Sequence, residues 1–143
     1  MGRYFSATDI SASGLAAERL RMEIVASNLA NAQTTRTPEG GPYRRREVVF
    51  SSIYDDVARA PGDVPLGGVR VLGMQGDPSD FPRVYRPGHP DADTDGFVLM
   101  PNVNTATEMV DMMTASRAYE ANLRALRSFR DMTESVLSLL RQS

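Results

Sequence analysis

Apolar side chains recur at helical spacing near the start of the chain. Ile10, Ala17 and Ile24 are seven residues apart, which places them on one face of a helix. The pattern predicts a first helix from about Thr8 to Asn31. Small residues on this face would let another helix approach closely. The polar side of the predicted helix carries Asp9, Ser13, Glu23 and Ser27.

A longer helix is predicted at the other end of the chain. From Ala106 to Ser143 neither Gly nor Pro interrupts the sequence, and apolar residues keep a three-four spacing. Thr105 and Glu108 fit a capping box, in which each side chain binds the backbone N–H of the other residue. A helix this long would span more than about 50 Å. Such length is typical of coiled coils and assemblies rather than of ordinary globular helices.

The middle of the chain has a different character, because all nine prolines lie between Pro38 and Pro101. Turn-forming residues there separate short β-prone stretches. The predicted strands are Tyr43–Phe50, Val69–Met74, Arg83–Tyr85 and Gly96–Met100. We therefore expect a mainly α fold with three parts: an N-terminal helix in 1–34, a Pro/Gly-rich middle with short strands in 35–104, and a long C-terminal helix in 105–143. The two helices are expected to pair in a coiled-coil-like layer.

The predicted middle segment is too small to cover both faces of so long a helix. Amphipathic helices without enough protein to bury them indicate contacts with partners, either copies of the same chain or relatives. The residues predicted to form such subunit interfaces are Ile10, Ala17, Ile24, Asn28, Leu29, Asn31, Met109, Met112, Tyr119, Asn122, Leu123 and Leu126.

Two amides stand out in the stretch ASNLANAQTT at the end of the first helix. Asn28 and Asn31 are three residues apart and lie at the edge of the apolar face. A buried Asn in a helix seam costs stability but fixes register, so we expect Asn28 to set register against a neighbouring helix. Asn122 is a possible partner for it. Asn31 is expected to end the helix by capping it.

Composition narrows the classes of function. The formal net charge of −2 gives no electrostatic footprint for nucleic acid. The run of three arginines from Arg44 to Arg46 is better explained as a solvated edge or a salt-bridged subunit contact. The absence of Cys excludes thiolate chemistry. The first residues lack a long apolar core, so we expect no cleaved secretory signal. No stretch reaches the ~20 apolar residues of a membrane span.

One acidic stretch resembles a metal loop. Asp91, Asp93 and Asp95 match the D-x-D-x-D-G opening of an EF-hand. The twelfth position, which should be a bidentate acid, is Asn102. An Asx-type turn is the favoured interpretation and calcium the weaker one. His89, the single histidine, is expected in a turn. We expect no enzymatic activity, no cofactor and no small-molecule substrate.

Motifs at both ends and in the middle resemble one known family. ASNLANAQT near the N-terminus is similar to the signature of bacterial flagellar axial proteins. MPNVNTATEMVDMMTASRAYEANLRAL, residues 100–126, resembles the C-terminal signature of their rod members. VYRPGHPDADTDGFVLMPNVN resembles the proximal branch of the rod family. The resemblance covers residues 7–35, 43–50 and 69–140, whereas residues 52–65 match nothing in it.

The resemblance implies a structural protein of the flagellar basal body. It implies helical assembly with copies of itself and other rod proteins into the periplasm-spanning rod, a drive shaft that carries motor torque to hook and filament. Further implied partners are the rod-base adaptor and the flagellar type III export apparatus, which would export the chain without a cleaved signal. The alternatives are a self-contained helical adaptor or export chaperone, and a calcium-responsive protein.

Overall fold

The computed structural model describes residues 7–53 and 67–142. The elements in chain order are α1 (Ala7–Ala30), β1 (Arg46–Ser52), β2 (Val69–Gly76), β3 (Arg83–Tyr85), β4 (Phe97–Leu99) and α2 (Thr105–Gln142). This is the predicted mainly α fold with a β-containing middle. Both helices lie within two residues of their predicted bounds, and the predicted last residue, Ser143, lies outside the described ranges.

The end of α1 is fixed by the second of the two amides. The helix stops at Ala30, and the Asn31 side-chain amide donates a hydrogen bond of 2.9 Å to the Ser27 carbonyl. The hydroxyl of Thr34 donates in turn to the Asn31 side-chain oxygen at 3.2 Å. The Ser27 carbonyl also accepts the Asn31 backbone N–H at 3.1 Å, so the side chain adds a second hydrogen bond at the end of the helix. Asn31 lies directly after the helix, as predicted, but it does not form a left-handed cap, because none of the described residues other than glycine has a positive φ.

The start of α2 differs from the prediction by one residue. Asn104, rather than Thr105, caps the helix, because its side-chain oxygen accepts hydrogen bonds from the backbone N–H groups of Ala106 at 3.0 Å and Thr107 at 3.3 Å. Asn is among the preferred N-cap residues. The predicted capping box is wrong, since the Glu108 carboxylate is buried and bound to other elements of the fold.

The described residues of the middle segment form two separate two-stranded sheets. β1 pairs antiparallel with β2, and β3 pairs antiparallel with β4. β1 begins three residues later than predicted, because Tyr43 turns inward instead of joining the strand. Tyr43 is buried, and its hydroxyl donates to the Asn28 side-chain oxygen at 3.0 Å.

The two helices lie against each other and run antiparallel. Asn28 binds Glu108 at one end of the contact, and Gly14 lies beside Asn122 farther along it, so the two contacts are 14 residues apart on each helix. Small residues permit this close approach, as predicted: a Cβ on Gly14 would lie 2.9 Å from the Asn122 amide nitrogen. Within 7–53 and 67–142 the buried apolar residues are few, namely Ala17, Val25, Tyr43, Val98 and Ala115.

The polar side of α1 contacts the middle segment. The Ser13 hydroxyl donates to the Ile10 carbonyl at 2.7 Å and accepts from the Val69 backbone N–H at 3.1 Å. The Ser27 hydroxyl lies 3.5 Å from that of Tyr43. Ser13 and Ser27 thus contact residues outside the helix, which the spacing of apolar residues along α1 does not predict.

Candidate assembly interface

A buried amide joins three elements of the fold. Asn28 is 0% exposed, and its side-chain nitrogen donates to the Glu108 carboxylate and to the Arg46 carbonyl, both at 2.9 Å. Its side-chain oxygen accepts from the Arg46 N–H and the Tyr43 hydroxyl, both at 3.0 Å. Asn28 thus uses both donor hydrogens and both lone pairs. It connects α1 to the start of β1 and to α2.

A buried ion pair extends this cluster. Glu108 is 0% exposed, and the Arg45 Nε donates to its carboxylate at 2.5 Å. Arg45 also pairs with Glu47, with Asp77 at 3.5 Å and with Asp111 at 3.6 Å. Burial acts to lower the pKa of Arg45, but the hydrogen bond and charge of Glu108 and the nearby aspartates outweigh it and raise the pKa. The guanidinium therefore remains charged.

We call Asn28, Tyr43, Arg45, Arg46 and Glu108 the polar hub. Its bonds connect residues up to 80 positions apart, so α1, β1 and α2 have a single relative register. Asn28 does contact a neighbouring helix, but that helix is α2 of the same chain and its partner is Glu108. The predicted pairing of Asn28 with Asn122 is wrong, because Asn122 lies beside Gly14.

Most of the predicted interface residues take part in packing within the chain. Ala17 and Asn28 are buried, and Met109 is 59% exposed. The half-buried members are Ile10, Ile24, Leu29, Asn31, Met112, Tyr119, Asn122, Leu123 and Leu126. Their contact with other subunits stays a prediction, and the structure assigns most of their buried surface to contacts inside the chain.

The exposed apolar surface of α2 includes Met109 but otherwise consists of residues outside the predicted set. Near the helix start it consists of Met109, Val110 and Met113. α2 has 38 residues and α1 has 24, so the last turns of α2 extend past the described start of α1. We call residues 130–142 the overhang. Its exposed apolar side chains include Met132, Val136, Leu137 and Leu139, each more than half exposed.

The sequence predicts the apolar face on which the two helices pack, but it does not predict the polar hub. Glu108 was interpreted as a cap because a carboxylate at that position fits a local motif, and nothing local connects it to Asn28 or Arg45. Val110 and Leu139 are absent from the predicted interface residues because they lie outside the apolar face that the three-four spacing on α2 predicts. The available signal for an exposed surface was a helical stretch, 130–142, that carries five apolar residues and has no second helix of matching length beside it.

The acidic loop is an Asx turn. One oxygen of the Asp93 carboxylate accepts from the backbone N–H groups of Asp95 at 3.0 Å and Phe97 at 2.8 Å, and the other accepts from Arg83 at 2.7 Å. Asp91 accepts from the Thr35 hydroxyl at 2.7 Å. Across 7–53 and 67–142, no group of three or more His or acidic side chains is placed to hold a metal ion. The favoured interpretation of this stretch is confirmed.

Comparison with known proteins defines the class of this helix pair. The sequence model of the family described as "Flagella basal body rod protein" matches residues 9–36, which contain all but the first two residues of α1 and the residues that follow it. The model described as "Flagellar basal body rod FlgEFG protein C-terminal" matches residues 94–139, which contain most of α2. The two ends that pack together are thus the two ends that define flagellar rod proteins. Neither described helix has the length and apolar content to cross a membrane.

Full-length relatives narrow the class further. The chain is 41% identical to the flagellar basal-body rod protein FlgC of Borreliella burgdorferi, covering 95% of this chain and 97% of the relative. It is 45% identical to that of Agrobacterium fabrum, with 96% of each covered, and 44% identical to that of Salmonella typhimurium, with 92% and 93% covered. The chain belongs to the FlgC family of flagellar basal-body rod proteins.

Proposed function

We propose that this chain is a structural, non-enzymatic subunit of the proximal rod, the part of the flagellar drive shaft nearest the motor. The observation that carries the proposal is the exposed apolar face of α2. The overhang and the Met109, Val110 and Met113 patch leave apolar side chains in water that a self-sufficient domain would bury. Neighbouring subunits would cover these faces.

Within the rod, α1 and α2 would form an inner coiled-coil-like layer with helices of neighbours, and residues 35–104 would lie outside it. Long helices packed side by side resist bending, and many copies share the load. The polar hub suits this task because it prevents α1 from sliding along α2. Slippage would separate Asn28 from Glu108 and leave the buried carboxylate short of one hydrogen-bond donor, at a cost of about 1–3 kcal/mol.

The proposed partners are other copies of the chain, other proximal and distal rod proteins, and the adaptor at the rod base. The chain would reach the periplasm through the flagellar type III export apparatus, without a cleaved signal, and there become part of the periplasm-spanning rod. The small apolar core suits this route, since few buried side chains have to be exposed for transport.

The proposal is tested by deleting the gene and imaging purified basal bodies by electron microscopy. We expect non-motile cells whose basal bodies lack a complete rod, with motility restored by the intact gene in trans. Basal bodies with rods of normal length in the deletion strain would refute the proposal.

A further inference from the structure

One face of the overhang carries an ordered set of charged and apolar residues. Arg130, Glu134, Leu137 and Arg141 follow one another at intervals of four, three and four, which places them on one stripe of α2. Arg130 and Glu134 form an exposed ion pair at 3.2 Å, and Leu137 is 51% exposed. Leu137 lies five helical turns beyond Tyr119, so this stripe continues the face of α2 that packs on α1.

The outward face of α1 carries the complementary set. Ala12, Ala16, Arg19 and Glu23 are spaced four, three and four apart and are all exposed. Arg19 and Glu23 form an ion pair at 3.0 Å. Between this stripe and α2 lies a groove lined by Leu15, Ala16, Arg19, Leu20, Glu23 and Tyr119. Four of these lining residues are aliphatic or aromatic, and the other two, Arg19 and Glu23, carry one charge of each sign.

The charges of the two stripes complement each other only when the two helices run antiparallel. With the overhang laid antiparallel to α1, Glu134 falls opposite Arg19, Arg130 opposite Glu23, and Leu137 opposite Ala16. We propose that the overhang of one copy docks on the outward face of α1 of a second copy, with Leu137 in the groove. This inference rests on the proposed function and specifies one of its contacts between subunits.

The same chain cannot make this contact with itself. From the two observed helix contacts, Ala16 lies level with residue 120 of its own α2. Leu137 is 17 residues farther on, or about 25 Å along the helix. The second copy is therefore displaced by about that distance and points the same way. Such a head-to-tail contact does not close on itself and generates a helical assembly.

Charge and apolar contact contribute differently to this interface. Exposed ion pairs add little affinity, so the four charges mainly select direction and register. A parallel arrangement, or a shift by one heptad, would lose the alternating charge pairs. Leu137 in the groove would supply the buried apolar surface.

Cysteine cross-linking tests the contact directly, because the chain contains no Cys. One gene carrying Ala16→Cys and another carrying Leu137→Cys are expressed in the same cells, and basal bodies are purified and oxidised. We expect a disulfide-linked dimer at least about tenfold more abundant than with Ser135→Cys in place of Leu137→Cys. Ser135 is on the same stretch of helix but on the opposite side.

Charge reversal gives an independent readout. The paired change Arg19→Glu with Glu23→Arg keeps the ion pair within α1 but puts like charges across the interface. We expect the dimer to fall about tenfold and to recover when Arg130→Glu and Glu134→Arg are added. The control is the exchange Glu120→Arg with Arg124→Glu, an equally exposed pair elsewhere on α2, which should change nothing.

The outcomes separate the two proposals. If both cysteine chains are present in basal bodies and give no more dimer than the Ser135→Cys control, the docking contact is refuted while the rod function stands. A charge reversal without effect, or without rescue by the second reversal, also refutes the contact. Absence of the unmodified chain from basal bodies would refute the proposed function itself.

Discussion

At the scale of single residues, Asn28 has the largest predicted effect on stability. Replacing it with Ala removes four hydrogen bonds and leaves Glu108 and the Arg46 backbone short of partners inside the protein. We expect the free energy of unfolding to fall by about 2–4 kcal/mol. Urea denaturation followed by circular dichroism measures this loss.

The comparison variant is Asn104→Ala. It also removes an amide with two hydrogen bonds, but these lie at an exposed helix cap. We expect it to cost about 1 kcal/mol. Equal losses for the two variants would contradict the view that Asn28 supports a buried cluster instead of one helix.

The acidic loop predicts how stability depends on pH. The Phe97 N–H, together with Arg83, holds the pKa of Asp93 below its usual 3.8, despite a smaller opposing effect of burial. A carboxyl group with a lowered folded-state pKa stabilises the fold fully above its unfolded pKa, and the contribution is lost as the pH falls through the folded value. We therefore expect stability to decline below about pH 4.

Asp93→Asn isolates this contribution, because the amide oxygen can still accept the two backbone hydrogen bonds of the turn. We expect the variant to lose less stability than the unchanged protein between pH 5 and pH 3, as measured by urea midpoints across about that range. An identical pH profile for the two proteins would show that Asp93 is not responsible. The pKa of Asp77 is also lowered, by Ser79 and Arg45, so we expect Asp77 to contribute to the loss of stability at low pH that remains in Asp93→Asn.

At the scale of elements, helix spacing depends on Gly14. Gly14→Ala gains about 1 kcal/mol of helix propensity, but its Cβ would lie 2.9 Å from the Asn122 amide. We expect the two effects to nearly cancel. When Asn122→Ala is already present, Gly14→Ala should stabilise the protein by about 1 kcal/mol.

The measurement is a double-mutant cycle by chemical denaturation. If Gly14→Ala changes the free energy of unfolding equally in the unchanged protein and in the Asn122→Ala variant, the two helices do not meet at this contact. Gly14→Leu, which adds more volume between the helices, is expected to cost about 1–3 kcal/mol.

Local patterns predicted the elements well, because their causes are local. The helix bounds follow from the placement of Pro and Gly, and Arg83–Tyr85 forms the predicted strand. The start of β1 was misplaced because Tyr43, a good strand former, serves the hub. The hub itself joins Asn28 to Glu108 across 80 positions. Periodicity places both residues on a helix, but it cannot show which groups of other elements face them.

At the scale of the whole molecule, a substitution in the overhang is expected to affect assembly of the rod but not folding of the subunit. Val136 is 56% exposed, so Val136→Asp should change the free energy of unfolding by no more than about 0.5 kcal/mol. In the rod the same change would bury a carboxylate among apolar groups. We expect a stable subunit whose gene fails to restore motility to the deletion strain.

Ser135→Asp is the matched control, since it adds the same charge one position away on another side of the helix. It should restore motility. Swimming at the normal rate with Val136→Asp would contradict the assignment of this face to a subunit contact, and a large loss of stability would show that the face already packs within the chain.

The central claim is that folding leaves the far end of α2 for another subunit to cover. Electron cryo-microscopy of intact basal bodies, at a resolution that shows side chains, tests it most directly. The account predicts that Leu137 and Val136 each contact a neighbouring subunit in the rod. A map in which residues 130–142 of this chain face solvent along the assembled rod would contradict it.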